Sequence, residues 1–398
     1  MPVETPRKRI DSIDAVRGLI MIIMALDHVR DFIHRGAMSA SPTNLATTTP
    51  VLFMTRWVTH FCAPVFMFTA GLGAFFWWQR GRSRRELSIF LLTRGFWLIF
   101  LELTVMRVAY DFDFALSYPV FLLVLWVLGA CMIGLAVLVW LPGPVLAGLS
   151  IAVILVHNTF DGIDPSRFGG GALLWDLLHQ PGVINVAGRV VIVAYPLVPW
   201  VTVMALGFSL GPIFLMEAQR RQRILVGVGL TATAAFLVIR GLNGYGDPVP
   251  WKPQHAATFT VLSFLNTTKY PPSLDFLLMT LGPAFLALAV ADRMKWAPSN
   301  PLIVFGRVPL FYFVLHFYAA HVAAALLGLT RYGSSALTFI FHPVPSMGAP
   351  PRMYPPDFGY DLWVAYAVWV AIVIALYPAC RWFAGVKARR RSWWLSYL

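Results

Sequence analysis

The chain has 398 residues, of which 58% are hydrophobic and 12% charged, and it carries a net charge of +13. A soluble domain holds about 25% charged residues, so this composition describes a polytopic membrane protein and excludes an ordinary soluble enzyme. The 31 Lys and Arg do not point to nucleic acid, because they fall in short clusters between apolar runs, as membrane topology demands.

Apolar runs of about 17–25 residues mark candidate spans. They predict an all-α fold, an integral membrane helix bundle of about ten transmembrane helices. The spans lie near 13–34, 51–78, 88–108, 118–140, 143–158, 190–213, 222–240, 273–291, 302–328 and 361–382, the fifth being short. The opening MPVETPRKRIDS lacks the shape of a cleavable signal, so the first helix is expected to be retained. This divides the chain into an N-terminal tail (1–12), a single transmembrane domain (13–382) and a basic tail (383–398).

With ten spans, Arg7, Lys8 and Arg9, the loops QRGRSRRE, EAQRRQR and DRMK, and the tail VKARRRSWW all fall on one side. The opposite loops, YDFDFALS, DGIDPSRFGGG and 331–358, are poor in Lys and Arg. Basic loops stay in the cytoplasm, which predicts both termini inside. The outer loops are the longer ones, and they are expected to shape an outward-facing site. Cys62, Cys131 and Cys380 sit in apolar stretches without paired or metal-like spacing and read as small core residues. No Walker, Rossmann or zinc pattern is present, and no metal is expected.

The first span holds a polar group in hydrocarbon: Arg17, then Asp27, His28, Arg30 and Asp31. A charged group at a helix centre costs roughly 2.5–3.5 kcal/mol on insertion scales, so such residues are functional candidates by default. At about 1.5 Å per residue, His28 lies about 16 Å beyond Arg17, in the outer half. His60 in the second span and His316 in the ninth reach similar depths, so histidines from three spans are expected to meet. Asp27 points about 100° away from His28, leaving Asp31, three residues on, as the better local partner for the ring. His321, His342 and His179 read as packing or surface residues. Glu102 is expected to pair with an intramembrane Arg. Arg94 either snorkels or binds phosphate.

Arg17-x10-His28 matches the R-x10-H signature of the membrane acyltransferase-3 proteins. The surrounding text resembles a related group more closely, the heparan-alpha-glucosaminide N-acetyltransferase-like (DUF1624) family of the transmembrane acyltransferase superfamily. RIDSIDAVRGLIMIIMALDHVRDF, FCAPVFMFTAGLGAFFW, YPLVPWVTVMALGFSLG, NPLIVFGRVPLFYFVLH and KYPPSLDFLLMTLGP carry the resemblance. It implies transfer of an acyl group, with acetyl expected, from cytoplasmic acyl-CoA (acetyl-CoA) to a sugar or related hydroxyl or amine acceptor at the outer side. The resemblance puts His28 and His60 in catalysis, and Asp27, Asp31 and His316 join them as candidates from their spacing and depth; the CoA phosphates would meet Arg17, Arg94 and the basic loop with Arg84 and Arg85. The sequence departs from the human-type members, whose catalytic histidine lies in the loop after the first helix. Here that loop, GAMSASPTNLATTTP, follows His34 and contains none, and His60 stands where the family's second-helix aspartate does. His28 and His60 both remain candidates for the base. Heparan sulfate is not expected as the acceptor, O- and N-transfer both stay open, and membrane lipids and a homodimer complete the expected partners. The location implied is a bacterial cytoplasmic (inner) membrane.

Two other readings use the same residues. A transporter or flippase of a polar or anionic lipid-like or sugar substrate would use the buried His and Asp for binding or proton coupling. A structural or sensory protein would satisfy Asp27, Glu102 and the histidines among themselves.

Overall fold

A computed structural model describes residues 10–112, 119–186, 188–342, 344, 353–390, 392 and 395. The basic residues 7–9, most of YDFDFALS, residues 343 and 345–352 of the segment 331–358 and the end of the basic tail lie outside the described residues. The helices in chain order are α1 (Asp11–Ile33), α2 (Pro50–Thr59), α3 (Cys62–Trp78), α4 (Arg84–Leu101) and α5 (Arg107–Asp111). Then come strand β1 (Val120–Leu122), α6 (Val124–Leu138), α7 (Gly143–Val156) and α8 (Ala172–Leu178). Strands β2 (Gly182–Val186) and β3 (Arg189–Val193) precede α9 (Trp200–Ser209), α10 (Ala218–Leu242) and α11 (Ala257–Leu265). The chain closes with α12 (Leu274–Arg293), α13 (Pro301–Arg307), α14 (Pro309–Tyr332) and α15 (Leu362–Arg389).

Among the described residues, seven helical stretches are long and apolar enough to cross a membrane: Pro50–Trp78, Arg84–Asp111, Gly143–Phe160, Ala218–Leu242, Leu274–Arg293, Pro309–Thr338 and Leu362–Arg389. Val124–Leu138 and Trp200–Leu215 are apolar but shorter. Helix α1 has the length, 23 residues, yet carries Asp14, Arg17, Asp27, Arg30 and Asp31.

The fourth expected span is helical only from Val124, after β1, and three others differ at a proline. The second is broken between α2 and α3, where Pro64 lacks the N–H that would bond the His60 carbonyl. The ninth is broken at Val308, whose φ of −131° and ψ of 49° leave the helix ahead of Pro309. The sixth is a helix only from Trp200, because Pro196 and Pro199 stop it from starting earlier. Its β-branched first part, VVIV, is β3 instead, paired parallel with β1 and antiparallel with β2. The bundle thus carries a small three-stranded sheet.

Glycines set how closely the helices approach. A Cβ on Gly306 would lie 1.8 Å from the Asp14 carbonyl oxygen, and one on Gly18 would lie 1.8 Å from that of Leu302. Gly71 meets the Met204 carbonyl at 1.9 Å and Gly207 that of Phe68 at 2.1 Å; Gly95 and Gly129 face each other at 2.6 and 2.5 Å. So α1 packs on α13, α3 on α9 and α4 on α6 with backbones in contact, as expected where lipid provides no hydrophobic drive between helices. At the end of the bundle holding the start of α1, Arg221 chelates Asp292 at 2.8 and 2.9 Å, and Arg307 lies 3.5 and 3.7 Å from Asp11 and Asp14.

Candidate active site

His28 and His316 come together as the depth estimate anticipated. Their ring nitrogens, Nδ1 of His28 and Nε2 of His316, are 2.6 Å apart. His316 is fully buried, and its Nδ1 lies 3.0 Å from the Tyr312 carbonyl. A carbonyl only accepts, so that Nδ1 carries the hydrogen, and in a neutral ring Nε2 is then the bare acceptor. His28 therefore donates from Nδ1 and keeps its lone pair on Nε2, by hydrogen-bond accounting. Among the described residues that Nε2 has no hydrogen-bond partner, and it is not sealed from open space. Phe317 stacks on the His28 ring at 4.0 Å and holds its plane.

Next to this pair runs a buried ion network. Asp27 takes Arg56 on one oxygen, and its other oxygen lies 2.8 Å from Arg30. That second contact is an ion pair without hydrogen-bond geometry, since the same oxygen makes no hydrogen bond. Arg30 also donates to Asp31 at 2.5 Å. So the partners given to the two carboxylates are arginines, and the nitrogen that orients His28 belongs to His316 on a different helix.

His60, 3% exposed at the α2–α3 break, packs its ring 5.4 Å from Phe276. Among the described residues its Nδ1 is buried without a partner. Asp27, Arg56 and Lys269 lie within electrostatic reach of both His28 and His60, so the three elements do share one polar region.

The expected phosphate-binding arginines divide. Arg17 donates to the Gly306 and Thr69 carbonyls at 3.3 and 3.4 Å and lies 3.7 Å from Asp14, which ties α1 to α3 and α13. Arg84 donates to the carbonyls of Val139, Trp140 and Leu141, at the end of α6. Arg94 lies 5.9 Å from the Phe90 ring centre, and Arg85 is exposed on α4. Glu102 corrects the expectation of an arginine partner. It accepts from the Tyr110 hydroxyl at 2.7 Å and from the backbone N–H groups of Leu125 and Trp126 at 2.8 and 3.1 Å. It thus supplies the acceptor that the free N–H groups at the start of α6 require. Its own backbone forms one turn of π-helix, Glu102–Met106.

Sequence reasoning passed over Arg56, Lys269, Tyr195 and Tyr270. Arg56 could have been found, since it stands four residues before His60 on an apolar helix. Lys269 and Tyr270 were visible only as text within KYPPS. Tyr270 donates to the Tyr195 hydroxyl at 3.3 Å, and Lys269 sits over both rings. Burial pushes the Tyr270 phenol up, but the charges of Lys269 and Arg56 together with its hydrogen bonds to Tyr195 and Lys269 leave it below its ordinary value.

A family model described as "Heparan-alpha-glucosaminide N-acetyltransferase, catalytic" matches residues 9–243. No curated protein matches the chain. The matched stretch carries α1, with Arg17 and the Asp27–Asp31 group, together with Arg56 and His60. His316 and Lys269 lie beyond it.

Proposed function

Because the chain belongs to the heparan-alpha-glucosaminide N-acetyltransferase catalytic family, whose members are transferases, we propose that it moves an acetyl group from cytoplasmic acetyl-CoA to a sugar-type hydroxyl or amine at the outer face of a bacterial inner membrane. The observation that carries this reading is the His28–His316 pair, of which His28 stands on a helix inside the matched region. The acceptor O–H or N–H gives its proton to His28 Nε2 as its oxygen or nitrogen attacks the thioester carbonyl. The C–S bond then breaks, and the proton passes from His28 to the departing thiolate, releasing CoA-SH. His316 accepts from the imidazolium in between and holds it in register. His60 lines the same polar region as a second base or acceptor contact. Asp27, with Arg30, Arg56 and Asp31, fixes the end of α1 that carries His28.

In this reading α1 and the two shorter apolar helices complete ten crossings, with both termini in the cytoplasm. The donor's phosphates meet Arg85 and Arg94 on α4, and Arg17 and Arg84 shape the walls through the backbone contacts they make. A purely structural role would leave the buried polar atoms satisfied among themselves. Among the described residues His60 Nδ1 and the Nε and Nη1 of Arg30 are buried without partners, so the cluster is not satisfied within itself.

The test is acetyl-CoA binding to the purified chain in nanodiscs, read by thermal shift. Acetyl-CoA is expected to raise the midpoint, less so in Arg85→Ala and Arg94→Ala, and undiminished in His28→Ala. No shift at saturating acetyl-CoA would sink the donor assignment and with it the reaction.

A further inference from the structure

The turn joining α11 to α12 is tied down from several directions. Asp247 accepts from the Thr268 N–H at 2.7 Å, the Thr268 hydroxyl at 2.9 Å and the Ser273 hydroxyl at 2.6 Å. The Pro272 carbonyl meets His157 Nε2 at 2.9 Å, and the Leu274 N–H donates to Asn158 at 2.8 Å. Behind them Arg240, 1% exposed, donates to the carbonyls of Val249, Ser263, Phe264 and Asn266. A segment held at so many points has one conformation, and the side chain it delivers into the bundle is Lys269.

Lys269 is 9% exposed. Its Nζ lies 5.2 and 5.9 Å from the ring centres of Tyr270 and Tyr195. Among the described residues no carboxylate lies within salt-bridge distance of it. Lysines are almost never this buried unless paired. The carboxylates that could answer it, Asp27 and Asp31, are engaged by Arg30 and Arg56. Two carboxylates thus stand against three cations, so the region is one negative charge short.

We propose that Lys269, Tyr195 and Tyr270 form a subsite for an anionic oxygen group, a carboxylate or a phosphate, on the acceptor. Calling the ligand an acceptor rests on the acyltransferase reading; the anion subsite itself rests on a buried lysine that no carboxylate among the described residues answers. The ammonium supplies the missing counter-charge as a point donor. The Tyr195 hydroxyl, which accepts from Tyr270 and keeps its own hydrogen, adds a hydrogen bond, and Tyr270 holds it in place. His28 lies within electrostatic reach of Lys269, so a ligand anchored here brings its attacking group toward the free Nε2.

Full-length protein in zwitterionic nanodiscs tests this by thermal shift with three probes, glucuronate, glucose 1-phosphate and glucose, and with acetyl-CoA in parallel. At least one anionic sugar is expected to raise the midpoint by a few degrees while glucose does not, and which one acts separates carboxylate from phosphate. The shift disappears in Lys269→Met and survives in part in Lys269→Arg, while the acetyl-CoA shift is the same in all three proteins. An equal shift with glucose, an undiminished shift in Lys269→Met, or no shift from either anion overturns the proposal. Should Lys269→Met fail to fold, Tyr195→Phe serves: it weakens the anion shift if the subsite exists, and an unchanged shift counts against it. An anion shift without an acetyl-CoA shift would remove the acyltransferase reading and leave the subsite standing; the reverse pattern would do the opposite.

Discussion

Replacing His316 by phenylalanine keeps a ring of similar size among Tyr312, Phe313 and Phe317 while deleting the nitrogen that orders His28. In the ground state the lost contact is one hydrogen bond, worth about 1 kcal/mol net. During reaction His28 becomes a cation, and a hydrogen bond to a charged group is worth about 1.5–3 kcal/mol. At 1.36 kcal/mol per decade, that difference of about 0.5–2 kcal/mol lowers kcat by roughly 2–30-fold. His28→Ala removes the base itself and is expected to cost about 10²–10⁴. Because His316 acts only through His28, the double variant should be no slower than His28→Ala. The assay is CoA release from acetyl-CoA, followed with a thiol reagent and with glucosamine as trial acceptor, alongside the melting midpoint of each variant. The KM for acetyl-CoA should stay within about twofold, since His316 is far from any phosphate contact in this scheme. A His316→Phe protein with unchanged kcat, or effects that simply multiply in the double variant, would refute the ordered-pair mechanism.

Other consequences are structural. Asp27→Asn strips the counter-charge from Arg56 and Arg30, and breaking a buried pair this way costs about 3–5 kcal/mol; a sharp fall in melting midpoint or folded yield is expected. Gly306→Ala forces α1 and α13 apart and should cost about 1–3 kcal/mol. Gly73→Ala, where a Cβ meets nothing within 4 Å, should leave the midpoint unchanged or higher, and equal losses in the two would undo the close-packing argument. Glu102→Ala leaves Tyr110 and two N–H groups of α6 unanswered, so its midpoint should fall well below that of Tyr110→Phe, which loses a single hydrogen bond.

Much of this was legible in the residues alone. Apolar run length marks spans because a bilayer leaves backbone polar groups only helical or barrel pairing. The placement of His28 and His316 at one depth followed from helix rise, which is independent of what packs where. Arg17-x10-His28 and the text around it pointed to the family. What the chain could not disclose was direction around each helix. Rise gives depth, but only packing decides which face meets which neighbour. So the partner of His28 turned out to lie on α14, 288 residues away, and Arg17 on carbonyls of α3 and α13. Glu102 found backbone N–H groups at the start of α6, a donor that no side-chain pattern announces. Proline positions were plain in the sequence, yet whether one ends a helix or is absorbed, as Pro283 is within α12, depends on the neighbours that take up the freed carbonyl. Lys269 shows the limit most clearly. A lysine in a loop reads as solvated, and only the tertiary ties from Asp247, His157 and Asn158 carry it under cover, because burial belongs to the assembled bundle and not to the residue.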